Sequence, residues 1–414
     1  MKRLIISLLI ICSLPVAAQQ LTYATFINRV MQGNLDYAAA QLDRSVAQAD
    51  LTAAKRFTDP TLTAEYGNNS DWDIAMGKSL SFELGKSISF GKRAARISTA
   101  RHNLNASEAG LQNFAQNLRA EATIAYIDAL LAREMTLISL QTAENMQSIY
   151  LSDSLRHARG DISELDVLQT RLETNIAFQD HRTRVTEYQN NLVLLDQLMG
   201  TPLQGTREIA GNLSVPDRLF NLNSLLRNAD TLRMDIAEQQ HLASAAESEL
   251  TLVRREQMPD IDLALGVNYN TRVLNEEAPA PEFIGYTVGI GIPLPFSSLN
   301  RGEVRSSRYK MQQARIQTDI VRSQAQTEII QAYNNYRSAL SRLSDYNTVI
   351  IGNAQQVLEG KTYAYMRGET SLLEVINAQH TYNEIQQSYA ECIHDCMTAW
   401  VELERAAGIW DISL

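Results

Sequence analysis

Two spacings of apolar residues run through this chain. Over about 92–157, Ile97, Leu104, Leu111, Leu118, Ala125 and Ala132 recur every seven residues; over about 302–364, so do Ile329, Tyr336, Leu343 and Ile350. Sustained heptads predict helices supercoiled on partner helices. Some 60 residues of helix span on the order of 90 Å at 1.5 Å per residue, more than one compact domain of this size accommodates. The alternative, ordinary amphipathic helices of a soluble bundle, uses the same spacing.

The second spacing is strict alternation. In "KSLSFELGKSISF" (78–90), Leu80, Phe82, Leu84, Ile88 and Phe90 alternate with Ser79, Ser81, Glu83, Gly85, Ser87 and Ser89. In "DIDLALGVNYN" (260–270), Ile261, Leu263, Leu265, Val267 and Tyr269 share one face; in "FIGYTVGIGIPL" (283–294), Ile284, Tyr286, Val288, Ile290 and Ile292 do. "TLTAEYG" is a weaker version, predicting a strand over about 60–68. Period two over about 9–11 residues fits outer-membrane strands with apolar side chains toward lipid. A half-buried soluble sheet gives the same alternation. Acids on the polar face, and aromatics near the strand ends (Tyr66, Phe90, Tyr269, Phe283, Phe296), favour the membrane reading. The loops "NNSDWDIAMG" and "NTRVLNEEAPAP" would then face outside. Four strands cannot close a barrel, and open edges are forbidden in lipid. A spanning chain must therefore oligomerise.

Both spacings occur twice. "AYIDAL" (125–130) matches "AYNNYR" (332–337), "LMG" (198–200) matches "AAG" (406–408), and "ARGDISELDV" (158–167) matches "MRGETSLLEV" (366–375), at offsets of 207 or 208 residues. The predicted plan is a first repeat over 19–200, a Pro- and Gly-containing linker over 201–217, a second repeat over 218–408 and a short tail over 409–414. Each repeat opens with a short helix and a longer one, about 22–31 and 35–57, then about 220–229 and 231–257. Asp59-Pro60 and Met258-Pro259 end them, because proline removes a donor and restricts its predecessor. Two strands follow, then the long helix, then a turn at 158–162 or 366–370, then a final helix to Gly200 or Gly408.

Composition narrows the class. The chain is 45% hydrophobic and 20% charged, as folded proteins are. "MKRLIISLLIICSLPVAAQQ" has a basic start, an apolar stretch and a small-residue end, so a signal peptide over 1–18 is expected. Ile11 before Cys12 is bulky where a lipobox needs a small residue. Loss of Lys2 and Arg3 takes the formal charge from −10 to −12, which disfavours nucleic acid as a partner.

Enzyme motifs fail. "AMGKS" and "LGKS" lack the first glycine of a P-loop, which is Trp72 in one and Leu80 in the other. "VGIGIP" lacks the third glycine of a dinucleotide fingerprint, and the six histidines have no common spacing. "CIHDC" places Cys392 and Cys396 at i and i+4, a face that could bind a soft metal, pack as small core residues or hold a strained disulfide. No cofactor is expected, and a conduit needs no tight site.

With "YMRGETSLLEVINAQ" (365–379) and its partner "HARGDISELDVLQTR" (157–171), the sequence resembles the TolC-like outer-membrane channels of tripartite efflux and type I secretion systems. "FELGKSISFGKRAARISTA" and "ELERAAG" look most like the heavy-metal (cobalt–zinc–cadmium and copper–silver) branch. The resemblance implies a mainly α fold with a membrane β part: a homotrimer whose four strands per chain make a 12-stranded barrel, continued by a periplasmic α-helical barrel. Its partners would be a periplasmic adaptor (membrane fusion protein), an inner-membrane resistance–nodulation–division pump reached through it, and outer-membrane lipid. Lipid would face Leu80, Phe82, Leu84, Leu263, Leu265, Val267, Tyr286, Val288 and Ile290. The two turns would form the periplasmic tip, with Arg159, Gly160, Asp161, Glu164, Asp166, Tyr365, Arg367, Gly368, Glu369, Glu374 and Asn377 at the adaptor contact and aperture. Arg156, Arg159 and Arg367 would pair with these carboxylates to hold a closed state; solvated turn charges are the plainer reading. Asn377 departs from the pattern, since some relatives carry a second acid of the constriction there. The expected function is passive export of heavy-metal cations, with drug efflux or protein secretion as alternatives on the same fold. An exported coiled-coil scaffold without a pore is the alternative of another class.

Overall fold

The computed structural model describes residues 20–68, 76–202, 208–214, 218–294, 300–346 and 348–412. The expected signal peptide, most of the 68–77 loop, Phe296 and parts of the 201–217 linker lie outside them. In chain order the elements are α1 (Tyr23–Gly33), α2 (Leu35–Ala54), β1 (Thr61–Asn68), β2 (Lys78–Ile88), α3 (Lys92–Ala158), α4 (Glu164–Leu198), α5 (Leu222–Leu232), α6 (Met234–Glu256), β3 (Ile261–Asn270), β4 (Phe283–Gly291), α7 (Arg301–Asp345), α8 (Thr348–Met366) and α9 (Leu372–Ala407).

Two compact units divide the chain, and each draws on both sequence repeats. One comprises the described parts of Met1–Ala38, Phe114–Leu232 and Ala325–Leu414; the other comprises Ala39–Asn113 and Arg233–Gln324.

The first unit is helical. Phe26, Tyr126, Ile127, Leu130, Leu195, Met397, Trp400 and Leu403 fill its core. Leu118, Ala125, Ile329 and Tyr336, four of the heptad positions, are buried there. Tyr126 anchors the entering chain and the linker together, its hydroxyl 2.8 Å from the Leu21 carbonyl and 2.6 Å from that of Ala210. Tyr336 likewise donates to the Arg218 carbonyl at 2.9 Å. α4 and α9 both end in a Schellman turn. Gly200 N–H bonds to the Gln197 carbonyl and Thr201 N–H to that of Asp196; Gly408 N–H bonds to Arg405 and Ile409 N–H to Glu404. The two sets are offset by 208 residues, as the sequence repeat is.

One helix differs from expectation. The run expected as continuous over about 302–364 is two helices, α7 and α8, separated after Asp345. Ser341, Ser344 and Asp345 crowd this stretch, and such side chains compete with the helix for backbone groups. The Ser344 hydroxyl donates to the Ser341 carbonyl at 2.7 Å. The counterpart in α3, Arg133–Ser139, has no Asp or Asn and remains helical. Beyond the break the heptad lapses, and Ile350 is exposed.

The second unit carries the sheet, ordered β1-β2-β3-β4 and antiparallel throughout. β2 and β4 stop at Ile88 and Gly291, short of the expected 90 and 294. α2 stops at Ala54, well before Pro60, and its end tightens through Lys55 N–H to Thr52 and Arg56 N–H to Ala53. Beside the sheet, α3 and α6 meet through Ser98 and Ser248 at 3.0 Å, α7 meets α6 through Thr318 to the Gln239 carbonyl at 3.3 Å, and α2 meets α3 through Arg44 and Glu108 at 2.9 Å.

Candidate functional site

Two places in the chain carry the candidate residues, one in each unit. In the sheet, pairing aligns the apolar positions of neighbouring strands into rows. Tyr66, Leu80, Tyr269 and Ile284 lie side by side; so do Ala64, Phe82, Val267 and Tyr286, and then Leu62, Leu84, Leu265 and Val288. The opposite face carries Thr63, Glu83, Gly266 and Thr287 in one row and Glu65, Ser81, Asn268 and Gly285 in the next. All nine residues expected to face lipid are exposed, Tyr286 most at 83%. An apolar face with no covering layer in its own unit is a surface for lipid or for another chain. Lys86 interrupts the apolar face at its helix-side end, opposite Leu263. Its long stem lets the ammonium reach out of an apolar layer. β1 and β4 pair on one side only among the described residues, so both outer edges present free backbone groups. No described helix is long and apolar enough to cross a membrane.

In the helical unit the two Arg-Gly turns have the same geometry. At the first, Gly160 N–H bonds to the His157 carbonyl and Asp161 N–H to Arg156; at the second, Gly368 N–H bonds to Tyr365 and Glu369 N–H to Ala364. Both are Schellman turns, and Gly160 and Gly368 take φ of +81° and +76°, where a Cβ is strained. Arg159, Asp161, Glu164, Arg367, Glu369 and Asn377 are exposed around them.

Within the chain, two of the carboxylates at these turns have partners other than arginine. Asp166 closes a capping box, its carboxylate accepting from Ser163 N–H while the Ser163 hydroxyl accepts from Asp166 N–H, and so it starts α4. Glu374 pairs with Lys361 across α8 and α9. The Lys361 hydrogen bond, then that of Thr370, holds its carboxyl below the ordinary range. Arg367 lies over the Tyr363 ring at 4.3 Å.

The strongest polar constellation near the turns involves a residue that sequence reasoning missed. Asp153, on α3, is fully buried, and the Tyr365 hydroxyl lies 3.0 Å from each of its carboxylate oxygens. Arg156 stands 3.8 Å from Asp153, donates to the Tyr365 carbonyl at 3.4 Å and stacks 5.1 Å from the Tyr365 ring centre. Burial raises the Asp153 pKa against the opposing pull of Tyr365 and Arg156. Burial, then the Asp153 charge, raises that of Tyr365 as well. Met146, Ile149, Leu372, Val375 and Ile376 pack around the pair. About two helical turns before Gly160, an acid facing a tyrosine at the repeat-equivalent turn was the available signal.

A second buried acid lies at the other end of α9. Glu404 is fully buried and accepts from Trp400 Nε1 at 2.9 Å, Arg218 Nη1 at 3.2 Å and Asp411 N–H at 3.1 Å, while Arg218 also pairs with Asp411. Burial and the neighbouring Asp411 push the Glu404 carboxyl up to about 7. Its repeat counterpart Asp196, at the same position of the α4 turn, is buried too.

Cys392 and Cys396 are buried free thiols, and burial pushes Cys396 up to about 11, where the metal-binding thiolate is disfavoured. His394 faces away from them to Asp128, at 2.6 Å. Among the described residues, no group of three or more His, Cys, Asp or Glu could hold a metal ion.

Comparison with known proteins places these features in one group. The family described as "Outer membrane efflux protein" matches residues 26–201 and 225–409. The cobalt-zinc-cadmium resistance protein CzcC of Cupriavidus metallidurans is 22% identical over 402 residues, 95% of this chain and 91% of that protein. The outer membrane efflux protein BepC of Brucella suis is 20% identical, over 88% of this chain and 80% of its own. A solved structure of CusC, studied for its folding and transmembrane channel formation, superposes with a TM-score of 0.77 at 21% identity, over 94% of this chain and 92% of that one.

Proposed function

The chain belongs to the outer membrane efflux protein family, and from that premise we propose that it is the trimeric exit duct of a tripartite system carrying heavy-metal cations. The observation that carries this reading is the sheet: one face exposed and apolar across its middle rows, with Lys86 at its helix-side end, and two open edges. β1 and β4 run antiparallel, so β4 of one copy can pair with β1 of the next, and three copies close a ring of 12 strands without an edge. Glu65, Glu83 and Asp262 then line its polar interior. The duct is passive. Energy comes from an inner-membrane pump, and a periplasmic adaptor meets the Arg-Gly turns, with Arg159, Gly160, Asp161, Glu164, Arg367, Gly368, Glu369 and Asn377 at the contact. Asp153, Arg156 and Tyr365 lock the hairpin ends in the closed aperture, and Lys361–Glu374 adds a weaker, exposed tie.

Metal cations are favoured as substrate by the likeness to CzcC, the cobalt-zinc-cadmium resistance protein. A clean in-frame deletion tests it, on a panel of zinc, cobalt, cadmium, copper and silver beside detergents, dyes and antibiotics. Hypersensitivity confined to metals is expected. Sensitivity to organic compounds alone refutes the metal assignment and leaves the duct. Heat-modifiable trimer bands in outer-membrane fractions test the duct itself; a soluble periplasmic monomer would sink it in favour of an exported scaffold.

A further inference from the structure

The two ends of the sheet differ in charge. At the helix side, residues 55–60, 86–96, 254–260 and 301–308 hold eleven basic and four acidic side chains, a net of +7 in a chain whose total is −10. The described connections at the opposite side, 66–68, 76–78 and 270–283, hold two basic and three acidic side chains. The chain concentrates cations where its strands become helices, against its own overall sign.

Each of the four strand–helix junctions also exposes at least one large apolar side chain: Phe57 (69%), Phe90 (51%), Met258 (47%) and Leu294 (66%). Basic groups lie directly on two of them. The Arg93 guanidinium is 4.0 Å from the Phe57 ring centre, and Arg255 Nη1 is 3.9 Å from Met258 Sδ. The junctions are tied to one another: Arg93 donates to the Lys55 carbonyl at 2.7 and 2.9 Å, and Lys92 pairs with Asp260 at 2.8 Å. Lys86 belongs to the apolar face itself, by its register with Leu263. This is a pinned belt of alternating apolar and cationic groups at one margin of an apolar surface.

We propose that this belt is a docking surface for anionic phospholipid. The proposal rests on the sheet being part of a membrane barrel. The phosphodiesters and their negative charge sit against Lys86, Arg96 and Arg254, and the upper acyl chains sit against Phe57, Phe90 and Met258. Long basic side chains place their charge in the head-group layer while their stems cover hydrocarbon. Attraction of this kind grows with each added cation and weakens under salt screening. A zwitterionic head group returns little of it. The belt thus fixes the depth and polarity of the barrel, with the acidic connections on the other side of the bilayer.

Native mass spectrometry of the full-length, detergent-purified protein tests this, with phosphatidylglycerol and phosphatidylethanolamine of identical chains supplied in equal amounts. The native protein retains the glycerol lipid about tenfold over the ethanolamine lipid, and high ammonium acetate shrinks the ratio. Excess inorganic phosphate or glycerophosphoglycerol does not displace the lipid. The triple variant Lys86→Gln, Arg96→Gln, Arg254→Gln brings the ratio to within about twofold, while Arg272→Gln at the other side leaves it unchanged. Equal retention of both lipids by the native protein overturns the proposal, as does displacement by free phosphate. Trimer bands in outer-membrane fractions report on the barrel separately: a trimer with no lipid preference sinks the belt alone, and absence of any trimer sinks the barrel reading.

Discussion

Tyr365 holds Asp153 from 212 residues away in sequence, its hydroxyl 3.0 Å from both carboxylate oxygens of a side chain with no exposed surface. Tyr365→Phe leaves that carboxylate with Arg156 at 3.8 Å and without its strongest hydrogen bond. A buried acceptor stripped of its donor costs about 1–3 kcal/mol. The hairpin ends should loosen, and the conductance of the purified channel in planar bilayers should rise. Conductance equal to the native protein's would remove the pair from the closing mechanism.

Gly160 and Gly368 test the turns by a different route. Nothing lies within 4 Å of a Cβ built on either, so alanine meets no clash and feels only the left-handed backbone. Each Gly→Ala change should cost about 1–2 kcal/mol, and the double variant should cost more than either single one. Thermal melts of the single and double variants measure this. A cost near zero would mean that the turn relaxes to another conformation.

The faces of the sheet were legible because alternation reports faces directly, and each strand does so without help from its neighbours. Both Arg-Gly turns were legible because the same Arg-Gly-acid motif recurs 208 residues apart; a glycine alone does not mark a turn, since Gly110, Gly352 and Gly360 lie inside helices. Asp153 was not. An acid inside a 67-residue helix reads as solvated, and packing against Tyr365 of the other repeat, which the sequence does not show, accompanies its burial. Asp166 and Glu374 were placed at the right turns, yet their partners, Ser163 and Lys361, depend on local geometry that spacing does not encode. The break after Asp345 is written in short polar residues, but the surrounding heptad is a stronger signal and hides it.

Glu404 makes the stability of the helical unit depend on pH. Its folded pKa, about 7, stands above the ordinary value of 4.5, so the folded chain binds more protons between those values. Stability therefore grows as pH falls from about 7 toward 4.5. Asp411 shifts the other way, lowered first by the Arg218 hydrogen bond, and its titration lies below this window. The helical melting point should be roughly 2–4 °C higher at pH 5.5 than at pH 8, and Glu404→Gln should flatten that difference. An unchanged pH profile in the variant would assign the effect elsewhere.

Phe82 and Glu83 are adjacent in β2 and point to opposite faces, so the same substitution at each asks which face meets lipid. Phe82 lies in the row Ala64, Phe82, Val267 and Tyr286, and Glu83 lies beside Thr63, Gly266 and Thr287. An arginine on the lipid face near the middle of a barrel costs about 2–4 kcal/mol, because hydrocarbon offers it no partner. The same arginine in a wet lumen keeps its hydration. Both sites lie at adjacent positions of β2 and pair with the same two strands, so a general effect of arginine on strand formation is common to them. Phe82→Arg should reduce the heat-modifiable trimer in outer-membrane fractions, and Glu83→Arg should leave it near native levels. Equal loss in both would mean that neither face is in contact with water, and the barrel reading of the sheet would fail with it.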